Sequence, residues 1–575
     1  MKASDFVAEF LWRRGVTHVF ELCGGMITHL LDSMHRHGKI QLISVHHEQA
    51  AAFAAEGMAR ITGIPGVAMA TSGPGATNLL TGVGSCYFDS TPAVFITGQV
   101  NRAEQKGTRE VRQIGFQECD IAAMARPITK AAWQVQSPDE LARLLAWAFR
   151  VAVSDRPGPV LLDIPMDVQR TDLPDAGFGG VTEPARKAPP GLREACRDVL
   201  DQIDRAERPL VLAGGGIRAA GAAGPLRAFA AVGDLPVVHS LMAVDVLAAA
   251  DRHRVGMIGT YGNRWANLAL TRCDFLLVLG SRLDVRQTGA DVEAFRRDRT
   301  IIHVDCDRAE INNRVTGCLP VESDVGLFLE AIVAEARERR PRGRGAWIDE
   351  ISALKAQWPD VTELDGIPGI NPNRLMHALA AVSAAAGAYV VDVGQKQMWA
   401  AQSLDIGPEQ RMMTSGGMGA MGFALPAAIG TAFACKRPVV VVTGDGGIQI
   451  NLQEFQTIVH HRLPIKVVVL NNHCLGMVRQ FQESYFESRF QSTVWGYDCP
   501  NIEKVAAAYG IPSLTVAGPD EVARGLEFLW RDPPAPALLQ VQIDPMTNVY
   551  PKVSFGSGLE GMEPVCEPPE GARDG

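Results

Sequence analysis

The 575-residue chain contains no CxxC pair, and its 11 cysteines show no zinc-type spacing. An odd number of cysteines scattered through apolar segments fits reduced, buried thiols better than a disulfide framework, and cysteine redox chemistry is not indicated. No uninterrupted apolar stretch of about 18 residues occurs, so no membrane span is expected. A basic excess is also missing: the net charge of −9 gives no electrostatic reason to expect nucleic acid or an anionic membrane surface as a partner. The N-terminal MKASDFVAEFLWRRG carries acids among its apolar positions, unlike a secretory signal, and a cytoplasmic protein is expected. There is no short-period repeat.

What is present reads as a large folded protein. A hydrophobic content of 47% and a mean hydropathy near zero are ordinary for globular chains, and the length points to roughly three or four domains. A first block, about residues 1–170, alternates helix-like segments with the strand-like VFEL, LISVHH, PGVAMAT, AVFITG and PVLLDIP. A linker rich in Pro and Gly is expected from about Leu173 to Pro190. A second block, about 191–345, holds PLVLAGGG, PVVHS, FLLVLGS and TIIHVD; its AGGG lacks the full dinucleotide fingerprint, so nicotinamide binding is only weakly indicated. After an Arg/Gly/Pro-rich stretch around Arg339 to Gly345, a third block, about 365–550, holds AYVVDVG, VVVVTGDGG, IKVVVLNN and ALLQVQI. Residues 551–575 read as a C-terminal tail, irregular beyond about Gly558. Strands separated by helices predict three α/β domains with doubly wound parallel sheets, the first and third alike.

The chemistry concentrates at two strand ends. VVVVT runs into Gly444, Asp445, Gly446 and Gly447, and IKVVVL runs into Asn471 and Asn472, which lies 27 residues after Asp445. Ligands bind at that edge of a parallel sheet. Asp445 offers a hard anionic oxygen, Asn472 a neutral carbonyl oxygen, and the glycines let backbone N–H groups approach phosphate, which suits magnesium holding a diphosphate. A GDG tripeptide alone is more often an ordinary turn. Glu48 follows LISVHH and precedes QAAAFAAEGMAR, at a strand-to-helix junction where a glutamate also complements a helix N-terminus.

The ordered set HEQAAAFAAEGMAR, ATSGPGATN, GQKQMWAAQ, TSGGMGAMGFALPAAIG, GDGG and NN resembles the thiamine-diphosphate-dependent carboligases, specifically the acetolactate synthase-like group, from near Ala3 to about Gly556. The resemblance implies a pyrimidine-binding first domain, a Rossmann-like central domain and a diphosphate-binding third domain. It implies that Glu48 is the carboxyl that exchanges a proton with the pyrimidine N1′, with Gln117 as a second catalytic residue. Gly419 and Met421 of GAMG would hold and bend the cofactor, and Gly476 and Met477 would line its site. Asp445, Asn472 and the main-chain carbonyl of Cys474 would be the metal ligands, the main chain explaining a soft residue there. Gln395, Lys396 and Gln397 match positions near the diphosphate; Lys396 stands where many relatives have histidine, and it is read either as a phosphate partner or as a solvated charge.

For substrate, Arg286 in GSRLDVRQTG matches an arginine near the second substrate, with an ordinary ion-pair role as the alternative. Phe116 in GFQE and Phe481 match pocket positions. Val285, Phe481 and Met166 depart from an acid, a tryptophan and a lysine common in the group, which points to a changed acceptor pocket. The RQxGxQE pattern that ends at Glu118 and the late PKVSFG resemble relatives that transfer an acetyl unit to bulkier ketones, including nucleotide-linked keto sugars; Lys106, Arg109 and Arg112 ahead of Gln117 would hold phosphate groups, with a solvated charged loop as the alternative. The expected reaction is decarboxylation of a 2-oxo acid, pyruvate, with transfer of its two-carbon unit to a ketone. A simple decarboxylase and a non-catalytic paralogue are the competing readings. FAD in the central domain without a redox role is a further expectation, weakened by Val285. A homodimer or homotetramer with shared sites is expected, and a regulatory subunit is left open.

Overall fold

The computed structural model describes residues 1–173, 187–339 and 342–565, so most of the expected linker and the last ten residues of the tail lie outside the described residues. Three six-stranded parallel sheets, each flanked by helices, account for the body of the chain. The first comprises β1 (His18–Leu22), β2 (Gln41–Ser44), β3 (Gly66–Ala70), β4 (Ala93–Gln99), β5 (Ala131–Gln134) and β6 (Pro159–Pro165), in the order β2-β1-β3-β4-β6-β5. The second comprises β7 (Pro209–Ala213), β8 (Val237–His239), β9 (Arg254–Met257), β10 (Phe275–Leu279), β11 (Thr300–Asp305) and β12 (Leu319–Glu322), in the order β12-β11-β10-β7-β8-β9. That is the dinucleotide-binding order, reversing between β7 and β10. The third comprises β13 (Ala388–Val391), β14 (Arg411–Met413), β15 (Val439–Gly444), β16 (Ile465–Asn471), β17 (Ser513–Val516) and β18 (Ala537–Gln542). Its order β14-β13-β15-β16-β18-β17 repeats the first sheet's relative order, so the first and third domains are one fold used twice.

The central strands form because their residues are apolar on both faces. All six residues of β15 and all seven of β16 are buried, as strands covered by helices on both sides must be. Their register pairs Gly444 with Leu470, so Asp445 and Asn472 emerge side by side just past the sheet edge. The third sheet reverses its winding between β13 and β15, and the crevice at that point is where ligands bind in open α/β sheets.

The first and third domains share one core. The helix Glu48–Thr62 packs on the helix Ala424–Cys435, and the cluster around Phe53, Phe423 and Ile429 runs through both domains. Two glycines permit this crossing: a Cβ on Gly57 would collide with the carbonyl oxygen of Ala427, and one on Gly430 with that of Ala54. Close backbone approach therefore replaces side-chain interdigitation here.

The segment expected to be an irregular tail is structured as far as residue 565. β19 (Lys552–Val553) and β20 (Met562–Glu563) pair antiparallel, and Val553, Leu559 and Met562 are buried in the central domain's core. The Val553 amide donates to Thr260 O at 2.8 Å. Three spaced apolar anchors thus strap the end of the third domain to the second, against the Pro, Gly and Glu content around them. Among the described residues, no helix is long and apolar enough to cross a membrane.

The helix crossing makes a direct prediction. Gly430→Ala should lower unfolding stability by about 1–3 kcal/mol through overpacking, whereas Gly224→Ala, in a helix with open space at its Cβ position, should be tolerated. Thermal unfolding of both variants beside the parent protein checks this; equal midpoints for the two would mean that the crossing relaxes freely.

Candidate active site

Asp445, Asn472 and the Cys474 carbonyl meet at the tips of β15 and β16. The Asn472 side-chain oxygen lies 2.8 Å from the Cys474 carbonyl oxygen and 3.2 Å from Asp445 Oδ1. Three acceptors thus face one another with no proton to share. Rotating the amide would put a donor among them, yet its nitrogen already donates to Gln395 Oε1 at 3.1 Å. Gln395 is itself oriented, since its Nε2 donates to Thr547 O at 2.8 Å, so the rotated amide would face oxygen with oxygen there. The relay Thr547–Gln395–Asn472 therefore aims the Asn472 oxygen into the cluster. Neighbouring oxygens around an octahedral magnesium with bonds of about 2.1 Å are ~3 Å apart, and the observed separations fit that donor set. The Cys474 thiol points elsewhere, donating to Pro545 O at 3.5 Å, and burial pushes it up to about 11. Among the described residues no group of three or more His, Cys, Asp or Glu side chains is placed to hold a metal, consistent with a set that uses an amide and a main-chain carbonyl.

Charge around this cluster is buried. Asp445 is inaccessible, and its other oxygen accepts from Tyr497 Oη at 2.9 Å. Burial raises its carboxyl above the ordinary range, opposed by that hydrogen bond and by the Lys396 charge. Lys396 is buried too, at 9% exposure, which makes a solvated surface charge untenable. Desolvation lowers its ammonium from the ordinary value, and Asp392 and Asp445 counter this. Its stem passes between the tips of β13 and β15, against Gly394 and Gly444, where any Cβ would press on it. Gly476 is required for the relay: a Cβ there would collide with Gln395 Oε1.

The glycine-rich turn lies beside the cluster. Gly419 has a left-handed φ of 67°, and the Met421 methyl comes within 3.4 Å of the Cβ position of Gly446. Asp392, at the end of β13, accepts from the Gly422 amide at 3.0 Å and from Thr443 Oγ1 at 2.9 Å, fixing the turn to the sheet. Gln397 reaches the start of the turn, donating to Thr414 Oγ1 at 2.7 Å. Met477 packs against the third domain's core. Asp392 and Tyr497 were absent from the sequence reading. Asp392 had a signal, an acid directly after the buried AYVV strand; Tyr497 had none.

Glu48 stands at the first residue of its helix, nearly buried, and accepts from Asn78 Nδ2 at 2.9 Å. Its other oxygen is 3.1 Å from the Cβ position of Gly75. Gln117, with φ of 64°, lies over Gly73 at the same turn, and Phe116 beside it is 79% exposed. Arg286 and Phe481 belong to another surface. The Arg286 carbonyl accepts from the Thr260 amide at 2.7 Å, Thr260 holds the C-terminal hairpin, and Phe555 of that hairpin touches Tyr485, which touches Phe481. Within one chain the candidates therefore fall into two groups: Glu48, Phe116 and Gln117 on the first domain, and the remainder on the third with the central domain alongside. Arg109 and Arg112 are exposed on a loop whose backbone is organised by Glu118, which accepts from the amides of Lys106 and Ile114.

Tyr497 gives a test of these electrostatics that needs no ligand. Tyr497→Phe leaves a buried carboxylate oxygen without its donor, which should lower unfolding free energy by about 2 kcal/mol. Urea denaturation of the two proteins measures it, and superimposable curves would remove the hydrogen bond from the account.

Comparison with known proteins agrees with this geometry. Residues 1–124 match the thiamine pyrophosphate enzyme N-terminal TPP binding domain, 196–332 the central domain, and 392–541 the C-terminal TPP binding domain. The chain is 37% identical to the acetolactate synthase large subunit of Parasynechococcus marenigrum over 97% of its length and 90% of the relative's. It is 36% identical to the acetolactate synthase isozyme 2 large subunit of Escherichia coli over 98% and 99%, and 34% identical to the Lactococcus lactis large subunit over 97% and 95%. Each match falls on one of the three sheets, and the chain belongs to the thiamine pyrophosphate enzyme family, with acetolactate synthase large subunits among its relatives.

Proposed function

We propose that this protein is a magnesium- and thiamine-diphosphate-dependent carboligase that decarboxylates pyruvate and transfers the two-carbon unit to a ketone, a second pyruvate in the leading case. The convergence of three acceptor oxygens, held by the Gln395 relay, carries the reading. Asp445, Asn472 and the Cys474 carbonyl would hold magnesium. Lys396 and the backbone at Gly444 to Gly447 would face the diphosphate, and the turn of Gly419 and Met421 would hold the aminopyrimidine. When bound, thiamine diphosphate would supply the nucleophilic carbon that decarboxylation of a 2-oxo acid requires. Glu48, which is buried, would hold and move the proton at the pyrimidine N1′. Arg286 is an exposed cation suited to an anionic second substrate, which favours carboligation over simple release of aldehyde.

Arg109 and Arg112, exposed on the loop that leads to the exposed Phe116, support a second reading, in which the acceptor is a bulkier, phosphate-bearing ketone. A non-redox FAD in the central crevice belongs to the proposal. Its support is the strand reversal between β7 and β10 and the buried His303 Nδ1, left without a partner while Nε2 bonds Ser281 O. A flavin absorption spectrum of the purified protein decides it. The designation of the relatives as large subunits supports a smaller partner chain. The split of the site residues between two faces supports a homodimer, or a tetramer built from it, with Glu48 serving the neighbouring chain's cofactor.

Incubation with thiamine diphosphate, magnesium and pyruvate, alone and with candidate ketones, should give acetolactate or its homologues by mass spectrometry; acetaldehyde alone would make the protein a decarboxylase. Glu48→Gln should leave cofactor binding intact and slow hydrogen exchange at the cofactor's C2 by orders of magnitude. Asp445→Ala should abolish magnesium-dependent cofactor binding in calorimetry. Once subunit exchange is demonstrated, mixing these two inactive proteins should restore activity, because mixed dimers hold one site with both groups intact. No recovery despite exchange would refute the shared site.

A further inference from the structure

Apart from the Asp445–Asn472–Cys474 cluster, a buried polar network around Arg60 joins the three domains. Four side chains of the first domain, Glu56, Arg60, Asp89 and Thr91, converge there. The Arg60 guanidinium donates to Asp89 Oδ2 at 2.8 Å, to Thr91 Oγ1 at 3.2 Å, to Thr414 O at 2.7 Å and to Glu56. Asp89 in turn accepts from two successive amides of the third domain, Gly416 at 3.0 Å and Gly417 at 2.6 Å. The Arg60 carbonyl accepts from Arg411, whose Nε donates to Asp245 of the central domain at 2.7 Å. Gly417 has no room for a side chain, since its Cβ would press on Phe88, and a Cβ on Gly416 would collide with Met242.

All these third-domain partners lead into the turn that carries Gly419 and Met421. Its far end is held by the same first-domain helix: Asn451 Nδ2 donates both to Gly422 O at 2.9 Å and to Gln49 Oε1 at 3.2 Å. The turn is thus strapped at both ends to the helix Glu48–Thr62. Between the straps Met418 and Gly419 are exposed, and the turn's other ties are the Asp392 carboxylate at the Gly422 amide and the Ser415 hydroxyl, which accepts from the Ala420 amide at 3.2 Å. A carboxylate that accepts two consecutive backbone amides fixes the peptide planes between them, which a lone hydrophobic contact does not. Arg60 neutralises that carboxylate in a buried setting, and loss of either partner leaves an uncompensated charge. Burial raises the Glu56 carboxyl above the ordinary carboxylate range, opposed by the Arg60 charge.

We propose that Asp89, backed by Arg60, is a positioning residue for cofactor chemistry: it sets the backbone of the turn from Thr414 to Met421, and through it the seat of the aminopyrimidine. The proposal rests on the thiamine diphosphate reading of the site. Asp89 touches neither cofactor nor substrate and acts through the turn.

Asp89→Asn is nearly isosteric but loses the charge and one of the two acceptor oxygens. Gly417→Ala attacks the same contact from the other side by pressing on Phe88. In the full-length protein with magnesium, both should raise the dissociation constant for thiamine diphosphate about tenfold or more. At saturating cofactor, both should also slow hydrogen exchange at the cofactor's C2 by a similar factor, because a displacement of about 1 Å costs about 100-fold in a positioned reaction. The double variant should be little worse than either single one. A purely structural role would lower the unfolding midpoint while leaving affinity and C2 exchange at parent values, and that result overturns the proposal. If either variant fails to fold, the other carries the same two readouts. If the parent protein shows no magnesium-dependent binding of thiamine diphosphate, the functional reading falls and the proposal with it; binding by the parent with unchanged variants defeats the proposal alone.

Discussion

The close crossing of the helices Glu48–Thr62 and Ala424–Cys435 is the contact on which the rest depends. Its reciprocal glycines let each backbone approach the other's carbonyl, with Gly57 against Ala427 and Gly430 against Ala54. Phe53 and Phe423 then meet edge to face at 5.3 Å, and Phe423 directly follows the turn that ends at Gly422. One packing event therefore sets the start of the helix that follows the glycine-rich turn and the helix that begins with Glu48. A larger residue at either glycine would separate the two domains and shift both chemical elements together.

The site accepts local arrangements that a purely structural core would avoid. Asp392, Asp445 and Lys396 are buried, and desolvation pushes each toward its neutral form. Three oxygens face one another between Asp445, Asn472 and Cys474, and the Gln395 relay enforces this where amide rotation would relieve it. A consistent protein violates its own packing rules chiefly where function requires it. The same logic separates Lys396 from Lys466, which is also buried but donates to the carbonyls of Asp532 and Ala535. Lys466 is satisfied by main-chain carbonyls, whereas Lys396 lies at the strand tips with the Asp392 and Asp445 charges near it.

Much of this was legible from residue order because β15 and β16 are continuous apolar runs whose polar tips had to fall at the sheet edge. The central strands of all three sheets announced themselves in the same way. The strands that escaped notice, β5, β9, β12, β14 and β17, are all edge strands of 3 or 4 residues. With one paired side, a short edge strand needs no long apolar run and leaves little periodic signal. In the site, Asp445 and Asn472 were legible as strand tips. Asp89, Tyr497 and Asn451 were not, because their partners are backbone groups or carboxylates hundreds of residues away or in another loop, and nothing near them in sequence marks that use. The hairpin of β19 and β20 was masked by Pro, Gly and Glu around only three anchoring residues.

The first-domain helix also bears on how the site is completed. Gln49 turns inward, through Asn451, to its own chain's Gly422. Adjacent helix residues point about 100° apart, so Glu48 cannot share that direction. Its contacts are with Asn78 and the Gly75 turn, both in the first domain. The helix thus offers Gln49 and Arg60 to the glycine-rich turn of its own chain and keeps Glu48 off that turn. A carboxyl placed this way, buried in the first domain, fits the proposal that it serves a cofactor held by a second copy. On this arrangement a single helix would reach two sites, with Glu48 presented to the neighbour and Arg60 steadying the turn at home.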